Sequence, residues 1–209
     1  MAAKALDPIH TYVRLMEDIK VRVAAINTIA EGRRSVGSPG LDSECIAVQL
    51  RKIIEQIAFA SLCANRQKYA AAHNEFEKEW NAKRLLKNLA QINHDFYPFP
   101  VRFGVSKEPG VAYHLETIRS GFLTLDDFVE LYGETSEAIH APNPFAKHTP
   151  VSRFRSRVPH WVNRIQALLK LHVIRLVDSD ERWVIQMERP GDHQVHFAVA
   201  QPIGKTGGA

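Results

Sequence analysis

The feature that most constrains this fold is a stretch of the chain that is apolar around almost its whole circumference when drawn as a helix. Residues 41–65 read LDSECIAVQLRKIIEQIAFASLCAN, and Asp42 or Ser43 is predicted to cap the start of the helix. A helix with apolar residues on nearly every side has to be covered by other elements. The stretch therefore predicts the central helix of a bundle.

Four further segments show the three- and four-residue apolar spacing of amphipathic helices. They cover residues 9–30, 74–92, 125–139 and 151–169. Thr124 and Asp127 predict a capping box at the start of the third segment, and Thr149 followed by Pro150 is a favourable start for the fourth. Pro159 lies inside the fourth segment, where its ring must kink the helix or begin a new one.

Strands are predicted in the second half of the chain. Short strands are expected at residues 101–105 and 111–118, and after His172 the apolar period becomes two, which indicates a three-stranded antiparallel meander. The predicted fold is mainly α (α+β), with about five helices. We expect a helical bundle over residues 1–172, the meander packed on it over residues 173–203, and a disordered tail over residues 204–209.

Several classes of protein find no support in the sequence. The N-terminal residues lack a continuous apolar segment, and no run reaches the about 18 apolar residues that span a bilayer, so a cytoplasmic protein without membrane contact is predicted. Cys45 and Cys63 lie in one predicted helix about 27 Å apart, too far for a disulfide or a shared zinc ion. Zinc-protease and serine-hydrolase motifs are absent, so no metal and no cofactor is predicted.

The charge of the chain is concentrated in one region. The net charge is +4, yet between Glu137 and Asp178 there are seven basic residues and no acidic one. Such a region favours an anionic partner, with RNA or DNA the commonest. The alternative is that acidic residues distant in sequence fold against it. The predicted nucleic-acid-binding residues are Lys147, Arg153, Arg155, Arg157 and Arg164.

Two predicted helices carry polar stripes on apolar backgrounds. Arg51 and Glu55 share one face of the central helix, while Tyr132, Ser136 and His140 share a face of the helix that begins at residue 125. If these faces meet, a neighbouring carboxylate or burial can tune the histidine for acid or base chemistry. The alternative is a hydrogen-bonded polar layer that fixes the register of the helices.

The segments LRKIIEQIAFASL and YGETSEAIHA resemble the helical pattern of the HEPN superfamily over roughly residues 12–172. That superfamily comprises helical bundles common in bacterial defence and toxin systems, and many members are metal-independent ribonucleases that work as dimers. The resemblance implies an Arg followed by four to six residues and a His, a spacing that Arg155 and His160 fit. A catalytic His would act on the ribose 2′-hydroxyl or the leaving group, and the Arg would stabilise the phosphate.

The resemblance implies a nucleic-acid-associated homodimer, with a ribonuclease as the leading hypothesis. The predicted catalytic residues are Arg51, Glu55, Tyr132, Ser136, His140 and His160. A rival likeness joins the last helix to VIRLVDSDERWVIQM, which is similar to the final helix and hairpin of winged helix-turn-helix domains over residues 124–188. It implies a non-catalytic nucleic-acid-binding module whose arginines contact phosphates or groove edges. A structural or interaction protein is the third hypothesis.

Overall fold

The computed structural model describes residues 7–72, 81–106, 111, 113–141, 145 and 151–201. Its elements, in chain order, are α1 (Pro8–Ala30), α2 (Pro39–Ala64), α3 (Arg66–Ala72), α4 (Ala82–Ile92), β1 (Phe99–Val105), β2 (Tyr113–Thr117), α5 (Leu125–Ile139), α6 (Val151–Leu169), β3 (Leu171–Arg175), β4 (Arg182–Gln186) and β5 (His196–Ala200). The predicted class, mainly helical α+β, is confirmed. Within these residues, no helix combines the length and the apolar character needed to cross a membrane.

The helix α2 is the centre of the bundle and contacts α1, α4, α5 and α6. Its buried side chains are Asp42, Ser43, Ile46, Ala47, Leu50, Ile53, Ile54, Ile57, Ala58, Ala60 and Ser61. Because these positions cover most of the circumference, α2 needs neighbours on several sides. The prediction of a central helix is therefore confirmed.

The predicted start of α2 is wrong by about one turn. The helix begins at Pro39, and the Oγ of Ser38 accepts the N–H of Leu41 at 3.3 Å. Proline suits the first helical position because no backbone donor is needed there. Asp42 does not cap the helix, since its Oδ1 accepts the N–H of Val36 at 2.7 Å.

The capping box of α5 and the proline inside α6 were both visible in the sequence. Thr124 and Asp127 form the predicted capping box of α5, with the N–H of Asp127 donating to the Oγ1 of Thr124 at 3.2 Å. The helix α6 passes through Pro159 without a break, so no second helix begins beside the arginines. Thr149, Pro150, Lys147 and residues 73–80 lie outside the described residues.

The strands form one antiparallel sheet in the order β2-β1-β3-β4-β5. The strands β3, β4 and β5 are the predicted meander. The two earlier predicted strands form a hairpin, and β1 extends the meander by pairing with β3, Phe99 opposite Val173. The sheet is thus larger than a meander that starts at residue 173, and β3 itself begins at Leu171. The predicted tail, residues 204–209, lies outside the described residues.

One face of the sheet closes the core of the bundle. Ile174, Trp183 and Ile185 point from this inner face into the same apolar cluster as Tyr12 and Trp161. The opposite face carries a small separate cluster of buried residues, Val101, Leu171 and Val173. Helices and sheet therefore share one main core, which fixes α5 and α6 relative to the strands.

Candidate functional site

Arg51 is the centre of a polar cluster where α2 meets α5. Its Nε donates to Oε1 of Glu55 at 2.8 Å. Its Nη1 donates to Oγ of Ser136 at 2.8 Å and to the backbone oxygen of Tyr132 at 3.0 Å. The side chains of Arg51 and Glu55 are 17% and 29% exposed. Four of the six residues predicted to be catalytic are therefore in one half-buried cluster.

The aromatic ring of Tyr132 stacks against this cluster. The guanidinium carbon of Arg51 lies 3.2 Å from the ring centroid, and Nζ of Lys83, on α4, lies 4.6 Å from it. Cations over an aromatic face are attracted by its negative charge density. Thr135, which the sequence interpretation missed, is fully buried and donates to the oxygen of Leu131 at 2.8 Å. The cluster thus connects α2, α4 and α5.

His140 is not part of the cluster. It is the exposed residue that follows the last turn of α5, and its backbone N–H donates to the oxygen of Ser136 at 3.3 Å. Within the described residues no hydrogen bond joins its imidazole to Arg51 or Glu55. Two of the three nitrogens of the Arg51 guanidinium already have protein acceptors. The geometry is that of a hydrogen-bonded polar layer between helices.

Two of the predicted nucleic-acid-binding arginines are ion-paired with α5. Arg157 contacts Glu130 at 2.8 Å and Glu134 at 2.5 Å, and Arg164 pairs with Asp127, its Nε donating at 3.1 Å. Asp127 and Glu134 are seven positions apart, as are Arg157 and Arg164. Because the later arginine pairs with the earlier acidic residue, α5 and α6 run antiparallel here. Acidic residues distant in sequence thus neutralise part of the basic region. The equal seven-residue spacing of the acidic residues on α5 and of the arginines on α6 was the sequence feature that could have indicated this pairing.

Aromatic contacts fix the same interface. Trp161 donates from Nε1 to the Oε2 of Glu134 at 2.7 Å, and the guanidinium carbon of Arg157 lies 4.7 Å from its ring centroid. Burial raises the pKa of Asp127, but hydrogen bonds from Thr124 and from Arg164 outweigh it and leave the pKa below its ordinary value. The carboxylate of Asp127 therefore stays charged and keeps both its cap and its ion pair.

The side of α6 that points away from the core is exposed and has no acidic residue. We call this surface the outer face of α6; it consists of Ser152, Arg153, Ser156, His160, Asn163 and Gln166, followed by Lys170. In the described part of the chain, the side chains of Arg153, Asn163 and Gln166 make no hydrogen bond or ion pair. Arg155 lies to one side, and among the described residues its hydrogen-bond acceptor is the backbone oxygen of Pro39, at 3.5 Å.

His160 lies on this outer face and not near the Arg51 cluster. Its ring meets the edge of Trp161, with centroids 5.0 Å apart. Arg155, the predicted partner of His160, is five positions away and so about 140° around the helix. Arg153 is seven positions away, on the same face and about 10 Å along the axis. The structure therefore brings Arg153, not Arg155, onto the face of His160.

A cleft of about 840 Å³ opens between α1, the end of α6 and the connection from β4 to β5. Its floor includes Ile19, Val23 and Leu169, and its rim includes Lys20 and Lys170. None of the six residues predicted to be catalytic lines this cleft. The cleft and the predicted catalytic cluster are therefore separate features.

A buried polar pair that the sequence interpretation missed joins α1 to β3. The Nδ1 of His172 lies 2.8 Å from the oxygen of Leu169, and its Nε2 lies 2.7 Å from the hydroxyl of Tyr12. Because a carbonyl only accepts, Nδ1 carries the proton and Nε2 accepts the O–H of Tyr12. Complete burial lowers the pKa of His172 to about 4. The sequence feature that could have indicated the burial of His172 was the alternating pattern of this strand, which places His172 on the same inward face as Ile174.

Within the described residues, no three histidine, cysteine or acidic side chains lie close enough together to hold a metal ion. Comparisons of the chain with protein-family models, with curated proteins and with solved structures gave no match. Fold and site define a mainly helical α+β protein. The outer face of α6 is an exposed basic helix surface that lacks acidic residues, and the exposed face of α4, with Lys83, Arg84 and Lys87, is another. The function of the protein has to be inferred from the outer face of α6 and from the polar cluster of Arg51.

Proposed function

We propose that this protein is a cytoplasmic nucleic-acid-binding protein that contacts duplex DNA through the outer face of α6. The observation that carries the proposal is the composition of that face. It presents hydrogen-bonding side chains with one arginine and one following lysine, and α6 has no acidic residue. Asparagine, glutamine, serine and arginine are the side chains that read base edges, while basic residues contact phosphates.

The shape of the surface favours DNA over duplex RNA. An exposed α-helix fits the major groove of B-form DNA, which is about 12 Å wide, whereas the major groove of A-form RNA is too deep and narrow. The turn between β3 and β4 carries Asp178, Asp180 and Glu181, which disfavour phosphate contacts. The proposal therefore assigns binding to α6 alone and not to a basic wing, which is where it differs from the winged-helix resemblance.

Binding of a labelled DNA duplex, followed by fluorescence anisotropy over a range of salt concentrations, tests the proposal. Each phosphate contact contributes about −0.9 to the slope of log K against log salt. Arg153→Ala and Lys170→Ala should each make the slope less steep by about one. Arg182→Ala, on β4, removes the same charge from another exposed position and should leave the slope unchanged. Absence of binding at low salt, or equal effects of all three substitutions, contradicts the proposal.

A metal-independent ribonuclease of HEPN type, as in defence systems, is the second candidate. It is favoured by the exposure of Arg153 and His160 on one face that has no acidic residue. In such an enzyme His160 would transfer a proton and Arg153 would hold the phosphate. Arg51 is less suited to this role, because its guanidinium is engaged by Glu55 and Ser136.

Cleavage of single-stranded RNA in the presence of a chelator tests this candidate. Loss of cleavage in His160→Ala, with full activity in His94→Ala, would support it, because His94 is an exposed histidine outside α6. His140→Ala tests the other predicted histidine in the same assay. Full activity in both His140→Ala and His160→Ala would exclude these histidines as essential acid or base groups.

A further inference from the structure

The hairpin of β1 and β2 exposes an apolar surface at the edge of the sheet. Phe103 lies opposite Leu115, and Val105 lies opposite Tyr113, so the four side chains share one face. They are 53%, 40%, 80% and 65% exposed, respectively. The rings of Phe103 and Tyr113 are 5.6 Å apart. Contiguous exposed apolar side chains of this kind mark interaction surfaces.

Among the residues that the structure describes, β2 is also the outermost strand of the sheet, and one of its edges has no partner strand there. The N–H of Ile118 donates to the oxygen of Pro100 at 3.0 Å, which directs the backbone groups of even-numbered residues towards β1. The N–H and C=O groups of Tyr113, Leu115 and Thr117 therefore point away from the sheet. An exposed edge of this kind is a template for pairing with another strand.

The sequence of β2, YHLET, is complementary to itself in antiparallel orientation. With a two-fold axis at Leu115, this residue faces its own copy, and Tyr113 faces Thr117 of the second copy. All of these are residues whose backbone groups point outward, so the hydrogen-bonding pattern matches. The same register places His114 opposite Glu116 of the second copy, an imidazole beside a carboxylate. Opposite-charge and polar cross-strand pairs of this kind stabilise a sheet.

The side chains on the polar face already converge within one copy. Nε2 of His114 lies 3.2 Å from Glu116, and Arg102 contacts Glu116 at 2.7 Å. Gly104 provides the space for them, since a Cβ there would lie 2.5 Å from Oε1 of Glu116 and 2.7 Å from Nε2 of His114. One face of β2 therefore carries an ordered polar ladder, and the other carries Tyr113, Leu115 and Thr117.

We infer that two copies of this chain associate through β2, antiparallel about a two-fold axis at Leu115, and form one continuous sheet across the dimer. The second copy is the partner because the register that aligns the outward backbone groups also places Leu115 against Leu115, Tyr113 against Thr117, and His114 against Glu116. The inference is independent of the proposed nucleic-acid binding, since no residue of α6 takes part in it.

Sedimentation equilibrium of the full chain over a range of concentrations tests the dimer. We expect the wild-type chain to have twice its monomer mass of 23.6 kDa. Leu115→Lys places two like charges face to face and should weaken association at least about tenfold. Val129→Lys, at an exposed apolar residue of α5, is the matched control and should remain dimeric. Far-UV circular dichroism should be the same for all three proteins.

Cross-linking tests the register. In a hydrogen-bonded antiparallel pair the two Cα atoms are about 5.5 Å apart, which is within the range of a disulfide. Leu115→Cys should therefore give a disulfide-linked dimer under mild oxidation. The wild type and Val129→Cys should give no linked dimer, and because they also contain Cys45 and Cys63 they control for cross-linking through the native cysteines. A monomeric wild type, a dimer unaffected by Leu115→Lys, or a dimer that Leu115→Cys does not link would each overturn the inference.

Discussion

The buried pair of Tyr12 and His172 should make the stability of the fold depend on pH in a window above that of the carboxylates. The neutral imidazole is fully satisfied, with one donor and one acceptor in use. Protonation of Nε2 would place its N–H against the O–H of Tyr12, which now donates to that nitrogen. It would also bury a positive charge. The folded pKa of His172 is accordingly lowered to about 4 from an ordinary value of 6.5.

The sign follows from proton uptake. Between these two values the unfolded chain binds a proton and the folded chain does not, so stability falls as the pH falls. The stabilising contribution is complete above about pH 6.5 and is lost progressively towards pH 4. A difference of this size corresponds to about 3 kcal/mol in the free energy of unfolding. Asp18 and Asp127 also have lowered pKa values. Their effect on the free energy of unfolding falls below the ordinary aspartate pKa of 3.8, outside this window.

Urea unfolding at a series of pH values from about 7.5 to 4.5 measures this effect. The wild-type free energy of unfolding should fall by about 2 to 3 kcal/mol over that range. His172→Gln should be less stable at neutral pH, because the carbonyl of Leu169 loses its donor, but should lose much less stability on acidification. Tyr12→Phe, which keeps the imidazole, should retain the acid response. Equal pH slopes for the wild type and His172→Gln would refute the reasoning.

Two further predictions concern the helix contacts. Asp127→Asn should lower the free energy of unfolding by about 1 to 2 kcal/mol, because it weakens both the capping box of α5 and an ion pair with α6. Thermal melts measure this effect, and Asp126→Asn, at an exposed position of the same turn, is the control. Arg51→Ala should cost about 2 to 3 kcal/mol, because Glu55 is left half-buried without its partner, whereas Lys52→Ala should change urea unfolding by less than about 0.5 kcal/mol. Similar values for Arg51→Ala and Lys52→Ala would contradict the structural role of the cluster.

Elements with strong local signals could be predicted from the sequence. The apolar circumference of α2 and the pair of Thr124 and Asp127 act within a few residues, so the sequence alone indicates a central helix and a capped one. The start of α2 was placed too late, with Asp42 or Ser43 as the predicted cap. In the structure Pro39 and Gly40 occupy the first helical turn after the cap of Ser38.

The candidate site was less predictable because its contacts join distant parts of the chain. The polar stripes of α2 and α5 raised a contact between Arg51 and Ser136 as one alternative, and the structure shows that contact. The neutralisation of Arg157 by Glu134 depends on which side of α6 packs on α5, and this is decided by the whole core. The pairing of β1 with β3 likewise has no local sequence signal.

The contact of Tyr12 with His172 has a consequence for the order of folding. The two residues are separated by 160 positions, and the hydroxyl of Tyr12 lies 2.7 Å from Nε2 of His172. Closing so long a loop is entropically costly, and contacts of high sequence separation form slowly. During synthesis, α1 leaves the ribosome long before β3 exists. The first helix of this protein can therefore complete its packing only when nearly the whole chain has been made.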